Sequence, residues 1–183
     1  MCGFVGFIGN RPPDINLIKS MTGSLSHRGP DAKNIWIDSN DNIALGHTRL
    51  SILDMSQNGS QPMHTISRRY VITFNGEVYN HLELREKLKK EKDHIWRGTS
   101  DTETIVELIE YYGLEKTLQL IKGMFAFALW DKKNKELFLA RDIAGEKPLY
   151  YGYQNNYLIF GSELKALKLH KHFDQRIDHK AIS

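Results

Sequence analysis

The chain has 183 residues, 40% of them hydrophobic and 26% charged, and its 25 basic side chains nearly balance 22 acidic ones. This is the composition of a globular domain with its own core, and the net charge of +3 offers no strongly basic surface for nucleic acid. No apolar run approaches the roughly 20 residues of a membrane helix, and the single cysteine excludes an internal disulfide. We expect one domain over residues 1–183, located in the cytoplasm, with neither a nucleic-acid nor a membrane partner.

The first half of the chain is predicted to consist mainly of strands. Strand-like segments cover residues 3–8, 34–37, 43–50 and 68–74. After the first strand, the run Pro12-Pro13-Asp14 predicts the start of a helix whose apolar face carries Ile15, Ile18, Met21 and Leu25. The polar stretch 54–61 is predicted to be a loop.

Helices and then hairpins follow in the second half. Helices are predicted over residues 81–90, 101–112 and 114–121, with Ser100 or Asp101 as the N-cap of the second. Residues 124–130 with 136–141, and 149–153 with 157–160, predict two β-hairpins. This order predicts an α+β fold in which helices pack outside antiparallel sheets. The polar tail from His170 onward is expected to fray.

Cys2 is both the only cysteine and the second residue of the chain. If Met1 is removed, Cys2 carries a thiol and a free α-amine on one residue, which is a nucleophile with its base already in place. Their usual pKa values lie near ~8.5 and ~8, so the amine can accept the thiol proton. A lone cysteine can equally be a small buried core residue, and position alone favours that interpretation.

Four further segments favour the nucleophile. They are HRGPD (27–31), GHTRLSIL (46–53), FNGEVY (74–79) and SDTE (100–103). Together with the opening MCGFVGFIG, they resemble the class II glutamine amidotransferases, which are N-terminal-nucleophile (Ntn) hydrolases, and within them the glutaminase half of asparagine synthetases. The resemblance extends over essentially the whole chain, through KPLYY (147–151). It implies a four-layer αββα sandwich of two antiparallel sheets flanked by helices.

The resemblance also implies a reaction, in which a γ-glutamyl thioester forms on Cys2, releases ammonia and is cleared by water. Asn75 and Gly76 are similar to the family's oxyanion hole, the donors that stabilise the tetrahedral intermediate. By itself, Asn-Gly would instead indicate a tight hairpin turn. His27 and Arg28 are assigned to the loop beside the pocket, because the α-amine takes the role of the base.

The remaining matched residues are expected to bind the amino-acid end of glutamine. Arg49 can hold the α-carboxylate through two parallel hydrogen bonds, and Asp101, together with Glu77, matches the position that holds the α-ammonium. Arg49 could alternatively be a surface ion-pair residue, and Asp101 a helix cap. The backbone of four residues is expected to line the same pocket: Leu50, Ser51, Ile52 and Leu53.

The resemblance places ATP and Mg in a C-terminal synthetase domain that this chain lacks, so we expect no cofactor and no metal here. His170, His172 and His179 could suggest a metal site, but a solvated tail is the preferred interpretation. Expected partners are glutamine and the synthetase domain, with a homodimer of the parent protein allowed.

The ammonia acceptor is expected to be aspartate, which gives asparagine. Residues 143–146 read IAGE and depart from the bulkier run of the family. Two alternatives therefore stay open: another acceptor such as the sugar acid of a surface polysaccharide, or a non-catalytic docking module that retains the fold.

Overall fold

Two antiparallel sheets form the centre of the molecule. The computed structural model describes residues 1–176. The strands are β1 (Gly3–Ile8), β2 (Ala32–Asp38), β3 (Ile43–Arg49), β4 (Met63–His64), β5 (Tyr70–Val78), β6 (Gly123–Asp131), β7 (Glu136–Arg141), β8 (Tyr150–Gln154) and β9 (Tyr157–Gly161). The helices are α1 (Ile15–Gly23), α2 (His81–Glu91), α3 (Asp101–Tyr112), α4 (Leu114–Leu120) and α5 (Leu164–Leu167).

The first sheet has the strand order β2-β3-β1-β9-β8, and the second has the order β4-β5-β6-β7. Every described strand pair is antiparallel. Both predicted hairpins, β6–β7 and β8–β9, are confirmed by their registers.

Three apolar clusters separate the four layers. The cluster between the sheets contains Phe4, Leu45, Val71, Trp130 and Phe160. A second cluster packs the outer face of the β4–β7 sheet against α2, α3 and α4, and a third packs the other sheet against α1 and α5. The predicted α+β fold, an αββα sandwich, is therefore confirmed.

Strand periodicity brings polar side chains to one end of the layer between the sheets. Alternate residues of a strand face the same side of its sheet. Phe4, Leu45 and Val71 face the layer between the sheets, so every second residue before or after them on the same strand faces that layer too. At one end these positions are polar in all three strands: Cys2 just before β1, His47 and Arg49 in β3, and Thr73 and Asn75 in β5.

Several predicted boundaries were wrong. The strand predicted over 68–74 runs from Tyr70 to Val78, so Asn75 and Gly76 lie inside a strand and pair with β6. The tail does not fray at His170, whose side chain is 2% exposed and packs on the rings of Phe7 and Tyr157. Packing of the imidazole on these two aromatic rings outweighs the polar character of the neighbouring sequence.

Candidate active site

One cavity of about 120 Å³ opens at the polar end of the layer between the sheets. All the site residues predicted from the sequence line it: Cys2, Arg49, Leu50, Ser51, Ile52, Leu53, Asn75, Gly76, Glu77 and Asp101. The chain also contributes lining residues that the sequence did not indicate, among them Met1, Asp54, Gln61, Met124 and Lys147. The predicted residues alone come from four separate segments that meet at one site.

The Cys2 thiol is held by the backbone of Leu50. Cys2 Sγ lies 3.4 Å from the Leu50 nitrogen, which donates to it, and 3.6 Å from the Leu50 oxygen. Burial raises the pKa of the Cys2 thiol, and the hydrogen bond from Leu50 opposes that rise only in part. The thiol is therefore protonated at neutral pH and needs a base before it can attack. With Met1 attached, the Cys2 nitrogen is part of a peptide bond and cannot be that base.

Arg28 positions Cys2 from the other side. Arg28 Nε donates to the Cys2 carbonyl oxygen at 2.9 Å, and its Nη1 pairs with Glu163 at 3.0 Å. His27 Nε2 lies 2.9 Å from the same Glu163 oxygen and not in the cavity. The placement of both residues in a loop beside the pocket agrees with the structure, but the contact of Arg28 with Cys2 was not indicated by the sequence.

Asn75 presents an unpaired donor. Its side chain is 1% exposed, and Nδ2 has no hydrogen-bond partner within residues 1–176. A buried donor without a partner costs about 1–3 kcal/mol, so a ligand oxygen that reaches Nδ2 would recover this energy.

The backbone N–H of Gly76 faces the same side as the cavity. Gly76 pairs with Phe125 of β6. Phe125 N and O both bond to Asp142, at 3.1 and 2.8 Å, and therefore point away from β5. In an antiparallel ladder, the N–H of Gly76 then points away from β6 as well. A Cβ at this position would lie 2.3 Å from Met124 O, so the close approach of β6 requires glycine.

The neighbouring N–H groups on this edge of β5 already have hydrogen-bond acceptors. Phe74 N donates to Gln61 Oε1 at 2.6 Å, and Val78 N donates to Asp101 Oδ2 at 2.9 Å. The N–H of Gly76 lies between them and lines the cavity. The cavity is thus lined by two adjacent residues that carry donors, the N–H of Gly76 and Nδ2 of Asn75, and an oxyanion hole needs donors of this kind.

Arg49 is buried, with its guanidinium held by a loop rather than by a carboxylate. Nη1 donates to Ser56 O at 2.8 Å, and Nη2 donates to Asp54 O. A guanidinium has five N–H donors, so three remain for another acceptor such as a carboxylate in the cavity. A surface ion pair, the alternative considered from the sequence, is excluded by its 8% exposure.

Asp101 is a buried carboxylate without a cation. It is 6% exposed and has no Lys, Arg or His nitrogen within 4.0 Å among the described residues. Burial raises the pKa of Asp101 to about 6, with the nearby charge of Glu77 adding to the rise. The N-cap of α3 is Ser100, whose side chain accepts from Glu103 N, so Asp101 is free of the capping role. A bound ammonium group would restore the usual pKa of this carboxyl.

The segment from Leu50 to Leu53 forms the rim of the cavity. Ser51 N donates to Asp31 Oδ2 at 2.8 Å, which ties the rim to the HRGPD loop. The side chains of Ile52 and Leu53 are exposed, so these two residues contribute mainly their backbone.

No group of three or more metal-ligating side chains occurs within residues 1–176. His170 is buried among aromatic rings, so its interpretation as part of a solvated tail was wrong, and His179 lies outside the described residues. No helix in this part of the chain is long and apolar enough to cross a membrane.

Two stacked antiparallel sheets between helices, with a cysteine at the head of an inner strand, define the class of Ntn hydrolases. A family model described as "Glutamine amidotransferase domain" matches residues 1–183. The chain belongs to this family of class II glutamine amidotransferases.

Curated relatives agree with the family. The chain is 40% identical to "Asparagine synthetase [glutamine-hydrolyzing] 1" of Bacillus subtilis (strain 168), over 100% of this chain and 29% of that protein. It is 38% identical to "Putative asparagine synthetase [glutamine-hydrolyzing] 2" of Methanocaldococcus jannaschii, over 96% of this chain and 36% of that protein. It is also 36% identical to "Amidase chry2" of Gibberella zeae, over 91% of this chain and 26% of that protein. The chain thus spans about a third or less of the length of these relatives.

Among solved structures, the fold matches that of the glutamine phosphoribosylpyrophosphate amidotransferase from B. subtilis complexed with ADP and GMP. The TM-score is 0.77 over 92% of this chain and 43% of that chain. At 22% sequence identity, this likeness supports the Ntn-hydrolase fold and nothing finer.

Proposed function

We propose that this domain, once Met1 is removed, hydrolyses the side-chain amide of glutamine to glutamate and ammonia. The observation that carries the proposal is the set of three groups that line one cavity: the thiol of Cys2, the unpaired amide donor of Asn75 and the carboxylate of Asp101, which can hold an ammonium. A free amino acid with a terminal amide supplies the complement of each.

The reaction follows from these positions. The Cys2 α-amine takes the thiol proton, and the thiolate attacks the side-chain carbonyl carbon of glutamine. Asn75 Nδ2 and the N–H of Gly76 donate to the oxygen, on which the negative charge of the tetrahedral intermediate develops. The protonated α-amine of Cys2 gives its proton to the departing amide nitrogen of glutamine, so ammonia leaves and a γ-glutamyl thioester remains on Cys2. Water, activated by the same amine, then releases glutamate.

Binding of the amino-acid end follows from charge. Arg49 has free N–H donors for the α-carboxylate, and Asp101 has no cation of its own. Glu77 is exposed at the entrance and supports the same preference for a cation. These contacts would distinguish free glutamine from an amide within a protein.

The ammonia is proposed to pass to a C-terminal ATP-dependent synthetase domain that converts aspartate into asparagine. Support comes from three Bacillus subtilis relatives named as glutamine-hydrolysing asparagine synthetases, of which this chain spans 24–30%. ATP and Mg would be held by that domain and not by this one. A cytoplasmic location and a homodimer of the parent protein belong to the same proposal.

A second candidate shares the glutaminase step and differs in the acceptor. The relative named "Amidase chry2" favours it, because matching glutaminase sequences occur in proteins with other names. Assay of the parent protein with glutamine, ATP and either aspartate or a sugar acid would separate the two, since only the true acceptor is amidated.

The first prediction concerns Cys2. Treatment with the glutamine analogue 6-diazo-5-oxo-norleucine should give a protein that lacks the mass of Met1 and carries one adduct on Cys2. The Cys2→Ala variant should remain folded, take no adduct and lose glutaminase activity entirely, because the nucleophile is gone. Intact mass, peptide mapping and ammonia release measure these outcomes.

Full activity in Cys2→Ala would disprove the mechanism. A processed protein whose Cys2 is neither labelled nor active would instead favour the non-catalytic docking module.

A further inference from the structure

Lys147 is a buried cation that nothing in the proposed reaction uses. It lies in the loop between β7 and β8, is 6% exposed, and lines the cavity beside Cys2. Its Nζ makes one polar contact in the structure, with Met1 Sδ at 3.3 Å. No carboxylate lies within 4.0 Å of Nζ among residues 1–176. A buried ammonium whose neighbour is a weakly accepting thioether is an expensive arrangement, so its position requires an explanation.

The loop that carries Lys147 is held firmly. The Asp142 carboxylate accepts from three backbone nitrogens: those of Phe125 at 3.1 Å, Glu146 at 3.0 Å and Lys147 at 3.3 Å. These bonds tie the loop to β6, the strand that also pairs with Asn75 and Gly76. Lys147 is therefore aimed into the cavity by the same strand that orders the oxyanion donors.

Removal of Met1 takes away the polar contact of Lys147 Nζ and creates the α-amine of Cys2. Nζ lies 3.3 Å from Met1 Sδ, and Met1 is bonded to the nitrogen that becomes this amine. Nζ and the new amine are therefore separated by no more than one methionine side chain and that contact. A nearby positive charge disfavours protonation of an amine.

We propose that Lys147 is a positioning residue that keeps the α-amine of mature Cys2 in its neutral, proton-accepting form. The proposal rests on the proposed function, in which that amine is the base. An unperturbed α-amine titrates near ~8 and is mostly protonated at neutral pH. Lys147 thus increases the fraction of enzyme that is ready to accept the thiol proton.

Other charges act on the same amine. Arg49 at the end of β3 lowers the pKa of the Cys2 thiol and Asp101 at the start of α3 raises it, and both charges are expected to act on the adjacent amine in the same directions. Glu77 of β5 lines the cavity, and Arg28 of the α1–β2 loop reaches the Cys2 carbonyl. Bound glutamine neutralises Arg49 and Asp101 through its own two charges. Lys147 has no such counter-charge in the substrate, so its effect persists in the complex.

The experiment titrates the amine directly, in a background without the thiol. In Cys2→Ala protein with Met1 removed, verified by intact mass, the pH dependence of α-amine acetylation gives the amine pKa. Lys147→Met keeps the length of the side chain and removes the charge, and should raise this pKa by about one unit. Lys147→Arg should keep the low value. The matched control is Lys133→Met, because Lys133 is exposed in the β6–β7 turn and should have no effect.

Equal amine pKa values with and without the Lys147 charge would overturn the proposal. If Lys147→Met does not fold, as judged by circular dichroism, Lys147→Gln is used in its place, because it removes the same charge and keeps a polar end on the side chain. In the Cys2 protein, the acidic limb of kcat/KM should move up by about one pH unit in Lys147→Met and return in Lys147→Arg. If the unaltered protein does not hydrolyse glutamine, the proposed function fails, while the acetylation experiment still decides the role of Lys147.

Discussion

Two buried polar clusters adjoin the first turn of α3, and they differ in whether their partners belong to the protein. Glu103, fully buried, is paired with Arg85 at 3.3 Å and with Arg97 at 3.2 Å, and also accepts from the Arg97 and Gly98 nitrogens at 2.8 and 3.0 Å. Asp101, two residues earlier, accepts from the Val78 nitrogen at 2.9 Å and has no cation within 4.0 Å among residues 1–176. The Glu103 cluster is complete and holds the structure together, whereas the Asp101 side of the cavity is complete only with a ligand.

The same contrast appears along the layer between the sheets. In its middle, Phe4, Trp130 and Phe160 pack in one apolar cluster. At the cavity end, His47 Nδ1, Thr73 Oγ1 and Asn75 Nδ2 are buried without partners in the described part of the chain. Other unpaired buried atoms in the described part of the chain, such as Trp130 Nε1 and His170 Nε2, lie away from the cavity. Asn75 differs because it lines the cavity, where a ligand oxygen can reach its Nδ2 and recover the cost of burial.

The largest effect within this comparison is expected from Asn75→Ala. Loss of one oxyanion donor should lower kcat by about 100-fold or more, with little change in KM, because the bond forms fully only with the intermediate. Steady-state glutaminase kinetics measure this. The variant should not be less stable than the parent, because the lost Nδ2 has no protein partner. A marked loss of stability would mean that Asn75 is structural.

Asp101→Asn should raise KM for glutamine by about 10- to 100-fold while it stabilises the fold. The unfolded carboxyl has a pKa near 3.8 and the folded one near 6, so between these values the folded protein retains a proton that the unfolded chain releases. The free energy of unfolding therefore falls as pH rises through this window, and the cost is fully present above pH 6. Asparagine keeps an acceptor for Val78 N and removes that cost, which is worth about 1–3 kcal/mol. Kinetics and urea unfolding at pH 7 test both parts.

Glu103→Gln should have the opposite profile. It leaves Arg85 and Arg97 without their anion and should lower the free energy of unfolding by about 3 kcal/mol. Under conditions where the variant stays folded, KM should change by less than about threefold, since Glu103 does not line the cavity. If Glu103→Gln impaired KM as strongly as Asp101→Asn, the division between a structural and a binding cluster would be wrong.

The smallest expected effect is the pH dependence of glutamine binding. In Cys2→Ala protein, the affinity for glutamine should be constant near pH 7–8 and fall by about tenfold per unit once pH drops below the Asp101 pKa of about 6. Titration calorimetry at several pH values measures this. Asp101→Asn, which has no group to protonate there, provides the control and should bind weakly but without this slope.

The sequence predicted much of the site because the relevant segments are local. Cys2, residues 49–53 of the GHTRLSIL run and Asn75-Gly76 each lie in or next to a strand, and they line one cavity in the structure. The roles given to these residues remain predictions. The hairpin turn that Asn-Gly would indicate by itself does not form, because β6 pairs with both residues and keeps them extended. Local turn propensity is weaker than a continuous ladder.

What the sequence by itself determined is the family and the α+β fold, since strand periodicity and short motifs express these locally. It also predicted ten of the residues that line the cavity. Only the tertiary structure decided the chemistry between distant segments. It left Asp101 without a cation and gave Glu103 two, turned the N–H of Gly76 away from β6, and brought Lys147 against Met1 across 146 positions. Burial and pairing depend on which segments meet in space, and no spacing along the chain encodes that meeting.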